Sequence, residues 1–304
     1  MHFGIMAMQV GSLIPANLPP DQVLDHIGSF NHARLVNELV DHGFHWIELG
    51  GDLSLFLPQT FSPDAIKELL ELKKERGVRY TVHLPLWSIE PSSPAKPVRT
   101  GSVQSVVEII QATQPLDPDI YVLHATGSLA AEFYRMHLPE TGRRLLLRQF
   151  QGYARESLQM ILKETGIPHR KLAIETIEFP FELTLELAEE LDLSICFDTG
   201  HVLVGFSGAV DFFQALDASL PRLGEVHLHD GPWQGPEGII GYGKDHQALG
   251  KGDLDVARFL DQLVDHHFSG TVIFELRLEE ALRSLEVIRS MRPDLLDEPR
   301  PTFE

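Results

Sequence analysis

The stretch that decides the fold spans residues 195–201 and reads Ile-Cys-Phe-Asp-Thr-Gly-His. The apolar run 193–197 predicts a short buried strand. The strand leads into Asp198, and Gly200 lets the backbone turn so that His201 can face the same point as the carboxylate. A carboxylate and a neutral imidazole brought together make two ligands for a divalent metal. The structural alternative is an aspartate that caps a helix and a histidine on the surface.

The same succession of a strand and a helix recurs along the chain. Eight predicted strands alternate with eight helical stretches, and no shift in composition marks a linker. Such alternation implies parallel βαβ units, and eight of these units close a barrel. A doubly wound open sheet is the alternative, but no Gly-x-Gly-x-x-Gly motif follows the first strand. We therefore predict a single (β/α)8 TIM barrel over residues 1–292, followed by a Pro-rich, acidic tail over 293–304.

Periodicity, caps and turn residues set the expected bounds of these elements. The predicted strands cover 3–10, 46–49, 80–84, 119–124, 171–176, 193–197, 223–229 and 271–275. The predicted helices cover 31–42, 63–76, 102–114, 143–165, 183–191, 212–220, 254–266 and 278–292. Long connections follow strands one, three, four and seven, which places them at the C-terminal face, where such barrels bind and react.

The composition of the chain limits the kinds of molecule that the protein is expected to bind. The formal net charge is −19, and an acidic surface repels phosphate backbones, so nucleic acid and anionic membranes are disfavoured. Cys196, the only cysteine, lies in a predicted buried strand, which excludes a disulfide framework and fits a reducing compartment. The first residues lack the features of a signal peptide, and no apolar stretch approaches the length of a membrane span. We expect a cytoplasmic protein that acts on a small molecule, and nothing in the sequence indicates its oligomeric state.

Histidines and carboxylates stand at the C-terminal ends of six predicted strands. In a closed barrel these ends converge on one axis. Taken singly, each side chain would more often be a hydrogen-bonded surface group. Gathered in a dry site, they repel one another or stay unsatisfied unless positive charge lies between them, and divalent metals are the natural occupants. The predicted ligands at these ends are His83, His124, Glu175, Asp198, His201, His227 and Glu275.

The seventh strand and the loop after it add further candidates. His227 and His229 are two apart and can both face the barrel axis, one as a ligand and the other as partner of a ligand or as a substrate contact. His246 lies in a glycine-containing loop that can approach closely, and we predict it as another metal ligand. Trp87 and Trp233 lie in active-face loops, where each either stacks on a flat part of the substrate or packs on the rim.

At this level the chain resembles the xylose-isomerase-like TIM barrels, a superfamily that includes endonuclease IV and many sugar isomerases and epimerases. The resembling segments are 82–85 (Val-His-Leu-Pro), 122–124 (Val-Leu-His), 173–175 (Ala-Ile-Glu), 197–201 (Phe-Asp-Thr-Gly-His), 226–230 (Val-His-Leu-His-Asp), His246 with 249–252 (Leu-Gly-Lys-Gly), and 274–275 (Phe-Glu). For the isomerases and epimerases, the resemblance implies one metal held by Glu175, Asp198, His227 and Glu275, with both glutamates exchanging protons with a ketose.

For the endonuclease IV-like members, the resemblance implies a cluster of up to three zinc ions. Its additional ligands match His83, His124, His201 and His246. The match departs in one loop, where that family has Asp-x-His and this chain has Asp245 directly before His246, so two ions are better supported than three. The chain also resembles the phosphodiesterases that remodel cobamides. This resemblance rests on residues 11–18, on His246 before Leu249, and on the eighth strand running into 276–288.

Two enzymatic hypotheses follow. The first is a phosphodiesterase with two or three zinc ions, because an imidazole-rich site favours zinc over magnesium or manganese. Glu175 and Glu275 would then be catalytic, bridging the metals or orienting water. The second is a sugar isomerase or epimerase with one Mn²⁺ or Mg²⁺, in which Glu175 and Glu275 move the proton and His83 and His201 contact sugar hydroxyls. A metal-binding barrel without activity is the third interpretation.

Overall fold

The structure is a computed structural model and describes residues 1–6, 18–22, 27–234 and 240–296. Within these ranges, eight strands pair in parallel and in sequence order to form a closed barrel. The first strand closes the ring by pairing with the eighth, with Gly4 opposite Ile273. The strands are β1 His2–Met6, β2 Trp46–Gly50, β3 Arg79–His83, β4 Tyr121–Leu123, β5 Leu172–Glu175, β6 Ser194–Asp198, β7 Leu223–His227 and β8 Thr271–Phe274. The predicted TIM barrel is confirmed.

Helices surround this barrel and connect consecutive strands. They are α1 His32–Asp41, α2 Leu53–Phe56, α3 Pro63–Arg76, α4 Lys96–Thr113, α5 Ser128–Arg135, α6 Glu140–Thr165, α7 Phe181–Glu190, α8 Thr199–Leu203, α9 Phe212–Ser219, α10 Val256–Asp265 and α11 Leu278–Met291. The bounds of α3 follow from local chemistry. The Ser62 hydroxyl accepts a hydrogen bond from the Ala65 N–H at 3.3 Å, Pro63 takes the first position, and Gly77 ends the helix at φ 69°.

The alternation of side chains along each strand separates two apolar layers. Outward residues such as Ile47, Leu49 and Val82 pack against the helices in the main hydrophobic core. Inward residues of β5 and β6, Ala173 and Cys196, form a smaller cluster inside the barrel. The prediction that Cys196 is a buried apolar side chain is confirmed, because none of it is exposed. The inward direction at the strand ends is the one that carries the candidate ligands.

Three features differ from the predicted elements. The helix expected over 102–114 begins at Lys96, because Pro97 fits the first turn of a helix, where its missing N–H has no partner to lose. Helix α5 lies in the stretch expected to be a loop after the fourth strand. The turn expected after Asp198 is the short helix α8, and Asp198 caps it by accepting a hydrogen bond from the His201 N–H at 2.7 Å.

Some predicted features lie at or beyond the limits of the described ranges. The first strand, expected over 3–10, ends at Met6 where the first described range ends, and most of the loop matched over 11–18 lies outside the described residues. Of the predicted tail, Pro293–Leu295 forms a 3₁₀ turn, and 297–304 are not described. Among the described helices, none combines the length and the apolar character needed to cross a membrane.

Candidate metal centre

The strand register brings the predicted ligands to one level of the barrel. Asp198 and His227 are direct partners on β6 and β7. His83 and Glu175 are the last residues of β3 and β5, and His124 follows β4 directly. All of these side chains point toward the axis, because residues two apart on a strand share a face. The floor of the resulting pocket is dry, since His83, Glu175 and His227 are at most 1% exposed.

Glu175 lies at the centre of the pocket, between two pairs of imidazoles. Its Oε2 is 3.1 Å from His83 Nε2 and 2.8 Å from His124 Nε2. Its Oε1 is 3.3 Å from His201 Nδ1 and 3.4 Å from His227 Nδ1. One carboxylate therefore faces a different pair of ring nitrogens with each of its two oxygens, and Glu175 belongs to two groups of candidate ligands at once.

The surroundings of His227 Nδ1 are the strongest indication of a cation site. This nitrogen is buried and has no hydrogen-bond partner among the described residues. Carboxylate oxygens of Glu175, Glu275 and Asp198 surround it at 3.4, 3.6 and 3.8 Å. These four side chains each offer one ligand atom, and the four atoms lie within 4.8 Å of one another. An unpartnered buried nitrogen facing three carboxylates fits a divalent cation, because a cation there would bind the nitrogen and balance the charge of the carboxylates.

A second and a third group of possible ligands flank this one. His83, His124 and Glu175 form one of them, and His201, His229 and His246 form the other. His246 reaches the pocket from the β7–α10 loop and lies 3.2 Å from Glu275 through its Nε2. It is also the most open member, since 43% of its side chain is exposed. The structure thus brings all eight predicted ligands into one pocket.

Electrostatics in the metal-free pocket favour protonated imidazoles. Burial alone lowers the pKa of His83, but the hydrogen bond and charge of Glu175, with the charge of Glu48, raise it to about 9. Burial likewise opposes the charged form of His201, and Asp198, Glu175 and Glu275 raise its pKa to about 9. Burial raises the pKa of Glu175, yet the surrounding imidazoles outweigh burial and hold it well below its usual range. Without metal, protons balance the charge of the carboxylates.

Metal-free protein should therefore lose stability as the pH rises from about 6.5 to about 9. The folded state binds the His83 and His201 protons more tightly than an ordinary imidazole of pKa 6.5, so their stabilisation is complete below that pH and disappears as the pH passes the folded pKa of about 9. Metal-loaded protein should show the reverse trend over this interval, because metal competes with these protons. Thermal unfolding with a chelator and with added zinc, from pH 6 to pH 10, measures both curves. Parallel curves would contradict the assignment of these histidines.

Sequence reasoning missed two carboxylates beneath the pocket. Glu48 of β2 lies 3.2 Å from His227 Nε2, and Glu225 of β7 lies 3.7 Å from the same nitrogen. Both glutamates are fully buried, and Glu225 also accepts a hydrogen bond from the Thr271 hydroxyl. Burial raises the pKa of Glu225 to about 8. The sequence did carry a signal for Glu225. It lies two residues before His227 on the same strand, so both side chains must point to the same, inward face.

The loop that carries His246 is held by one buried aspartate, Asp230. Its two carboxylate oxygens accept hydrogen bonds of 2.9–3.0 Å from the N–H groups of Gly231, Gly250, Gly252 and Leu254. Asp230 also forms an antiparallel bridge with Gln247. His246 itself adopts φ 56°, a left-handed conformation that few non-glycine residues take, so the surrounding bonds must hold it there.

Aromatic side chains and one arginine line the rim. Trp87 and Trp233 are 43% and 52% exposed, and Trp87 packs edge-on against Phe56. Next to His201, the ring of Phe206 lies 5.0 Å away and contacts Tyr242 in turn. Arg135 lies over the Tyr242 ring and pairs with Glu178 through Nε at 3.3 Å. The rim therefore offers apolar faces and a partly exposed guanidinium close to the candidate ligands.

The chain matches a known protein family. The family model described as xylose isomerase-like TIM barrel matches residues 36–291. A protein of Methanocaldococcus jannaschii described as uncharacterized is 24% identical over 265 residues, covering 84% of this chain and 82% of the relative.

Solved structures share the fold over most of the chain. A D-tagatose 3-epimerase-like protein has a TM-score of 0.70 at 19% identity, and the match covers 98% of this chain and 99% of that one. Endonuclease IV from Thermus thermophilus has a TM-score of 0.61 at 21% identity, with 86% and 94% covered. Because the family model spans most of the chain, including every strand that bears a candidate ligand, the protein belongs to the xylose isomerase-like TIM barrel family.

Proposed function

We propose that this protein is a divalent-metal-dependent phosphodiesterase that hydrolyses a small-molecule phosphodiester, for which a cobamide is one candidate. The observation that carries the proposal is the position of Glu175, whose two oxygens face separate imidazole pairs. A site for one ion needs only the group formed with Asp198, His227 and Glu275. The added imidazoles of His83, His124, His201 and His246 have the composition of a site for two or three zinc ions.

The roles of the two glutamates follow from how deeply each is buried. Divalent ions bound here would supply Lewis acidity that activates water and stabilises the charge developing in an in-line displacement at phosphorus. Glu175, fully enclosed, keeps its negative charge among the imidazoles and so holds the ligand set together. Glu275 is 15% exposed and faces His246 and His227, so it is the carboxylate best placed to orient water and substrate. We assign the catalytic roles to Glu175 and Glu275.

The surroundings of the pocket support a small diester as substrate. A chain of net charge −19 attracts a polyanion poorly, which disfavours DNA. At the mouth of the pocket, the guanidinium of Arg135 suits a single phosphate. Arg135 packs on Tyr242, which contacts Phe206, and Phe206 in turn contacts His201. Trp87 and Trp233, both about half exposed, would stack on a flat part of the substrate. The buried Cys196 thiol and the acidic chain fit action in the cytoplasm on such a molecule.

A sugar isomerase or epimerase is the second candidate, and one observation favours it. Glu175 and Glu275 both face His227 Nδ1, at 3.4 and 3.6 Å, in a group that would hold a single Mn²⁺ or Mg²⁺. Two carboxylates around one cation are equipped to remove a proton from a ketose and return it. In this case His83 and His201 would contact sugar hydroxyls and would not bind metal.

Metal stoichiometry combined with a substrate panel separates the two candidates. The phosphodiesterase proposal expects at least two zinc ions per chain and turnover of bis(p-nitrophenyl) phosphate and of cobamide diesters. One ion per chain with epimerisation of ketoses would replace it with the second candidate. Bound metal with neither activity would leave a metal-binding barrel without catalysis. Elemental analysis of the purified full chain, before and after chelation and reloading, provides the count.

A further inference from the structure

Both ring nitrogens of His229 are engaged by groups of the protein itself. Its Nε2 lies 2.9 Å from Asp198 Oδ2, and its Nδ1 lies 2.9 Å from the backbone nitrogen of His246. None of the residue is exposed. Glu275 also faces Nε2, at 3.7 Å, and the rings of His201 and His246 pack against the imidazole.

The directions of these two hydrogen bonds define the tautomer. A backbone N–H only donates, so Nδ1 of His229 must accept from His246 and carries no proton. The ring proton is then on Nε2 and is donated to Asp198 Oδ2. The other oxygen of Asp198 accepts from the His201 N–H at 2.7 Å. Both oxygens of this candidate ligand are therefore oriented by hydrogen bonds from the protein.

The neighbourhood is built to hold His229 in this place. The Thr199 hydroxyl donates to the His229 carbonyl at 2.6 Å and also accepts from the His229 N–H at 3.0 Å. Gly200 leaves the space that the imidazole occupies, because a Cβ at that position would lie 2.1 Å from His229 Nδ1. The glycine of the Asp-Thr-Gly-His stretch thus makes room for a histidine that lies just after the next strand.

We propose that His229 is a positioning residue that couples the β7–α10 loop to the metal centre, and that it neither binds metal nor contacts substrate. Through Nδ1 it accepts from the backbone of His246, and through Nε2–H it fixes the orientation of Asp198. One ring therefore contributes both to the placement of His246 and to the orientation of Asp198. The proposal rests on the metal-binding part of the proposed function only, and it holds for either reaction. Partners of this kind commonly change metal affinity about 10- to 100-fold when removed.

Two substitutions separate the two hydrogen bonds. In His229→Asn, the amide reaches the position of Nδ1 and can accept from His246, but nothing reaches Asp198. In His229→Gln, the longer amide reaches the position of Nε2 and can donate to Asp198, while the acceptor for His246 is lost. We expect His229→Asn to bind zinc about 10- to 100-fold more weakly with unchanged stoichiometry at saturation. We expect His229→Gln to keep an affinity close to that of the parent, with faster amide exchange at 245–248 in metal-free protein.

Gly200→Ala provides a matched test in which no candidate ligand is substituted. Its methyl group would displace the His229 ring, so it should reproduce the weaker zinc binding of His229→Asn. Zinc affinity is measured by competition with a chromophoric chelator, and exchange by mass spectrometry, both without substrate. Circular dichroism and thermal unfolding establish that each variant is folded, and if one variant does not fold, the other two still decide the outcome.

Three results would overturn the proposal. Loss of one zinc ion at saturation in His229→Asn would make His229 a direct ligand. A raised KM with parent-like zinc affinity would make it a substrate contact, as the sequence suggested for one of the two histidines. Parent-like affinity and exchange in all three variants would remove any coupling role. Zinc stoichiometry, zinc affinity and exchange carry the first and third of these results and are read without turnover, so a protein that fails to cleave diesters still permits both.

Discussion

His124→Ala should bind one metal ion fewer than the parent chain and lose nearly all phosphodiesterase activity. The His124 Nε2 lies 2.8 Å from Glu175 Oε2 and belongs to the group with His83, outside the four side chains that suffice for a single ion. Loss of an ion that contributes several kcal/mol to the transition state corresponds to a fall in kcat/KM of about 1,000-fold or more. Elemental analysis and steady-state kinetics with bis(p-nitrophenyl) phosphate measure the two effects.

The fold should survive this substitution, because the His124 side chain is 20% exposed and lies at the mouth of the pocket. His42→Ala is the matched control. His42 is exposed at the C-terminal end of α1, a helix that leads to the start of β2 and therefore to the opposite end of the barrel. This control should keep the parent's metal content and rate. If His124→Ala also keeps both, the multinuclear centre is wrong, and an epimerase with one ion becomes the better interpretation.

Glu175→Gln should weaken metal binding, abolish activity and destabilise the metal-free protein. The amide preserves the volume but removes the negative charge that faces His83, His124, His201 and His227. Removing one partner from a buried ionic network costs about 3–5 kcal/mol, because the remaining charge is left without compensation. The hydrogen bond and charge of Glu175 help to raise the pKa values of His83 and His201 to about 9 in the metal-free parent, so in Glu175→Gln these imidazoles lose an interaction that stabilises their charged form at neutral pH.

The cost of Glu175→Gln should depend on pH. It should be largest near pH 6, where the imidazoles of His83 and His201 are protonated, and should shrink above pH 9, where the parent has lost the pairs that these two imidazoles make with Glu175. Urea unfolding with a chelator at pH 6 and at pH 10 gives the two free energies. Glu186→Gln is the control, since Glu186 pairs with Arg148 on the surface, where such pairs contribute about 0–1 kcal/mol. An equal cost at both pH values would mean that Glu175 stabilises the pocket through packing alone.

Strand β6 combines features that its own sequence predicts with one that depends on a distant residue. The apolar run, Asp198 and His201 predicted a strand that ends in two ligands, and the structure places both in the pocket. The glycine between them was interpreted as a turn residue, whereas its lack of a Cβ makes room for His229. A glycine needed for a turn and one needed for packing look the same in a sequence, because the second requirement comes from a residue that is distant in the chain.

The carboxylates under the pocket show the same limit. Glu48 lies in an apolar strand and contacts His227, which is 179 residues away in the chain. Nothing local to β2 indicates that contact, since the pairing depends on β2 and β7 facing one another across the barrel. The missed helix α5 has a different cause. It spans only eight residues, about two turns, so the helical repeat of its apolar side chains is too short to stand out in the sequence.

By itself, the sequence determined the order of strands and helices, the closure into a barrel, and the set of histidines and carboxylates at the strand ends. These features follow from periodicity, caps and turn residues, which act over a few neighbouring positions. Only the tertiary structure decided that Glu175 lies between two imidazole pairs and that His229 has both nitrogens engaged. The bond from His83 to Glu175 joins residues 92 apart, and such a distance is set by the packing of the whole barrel.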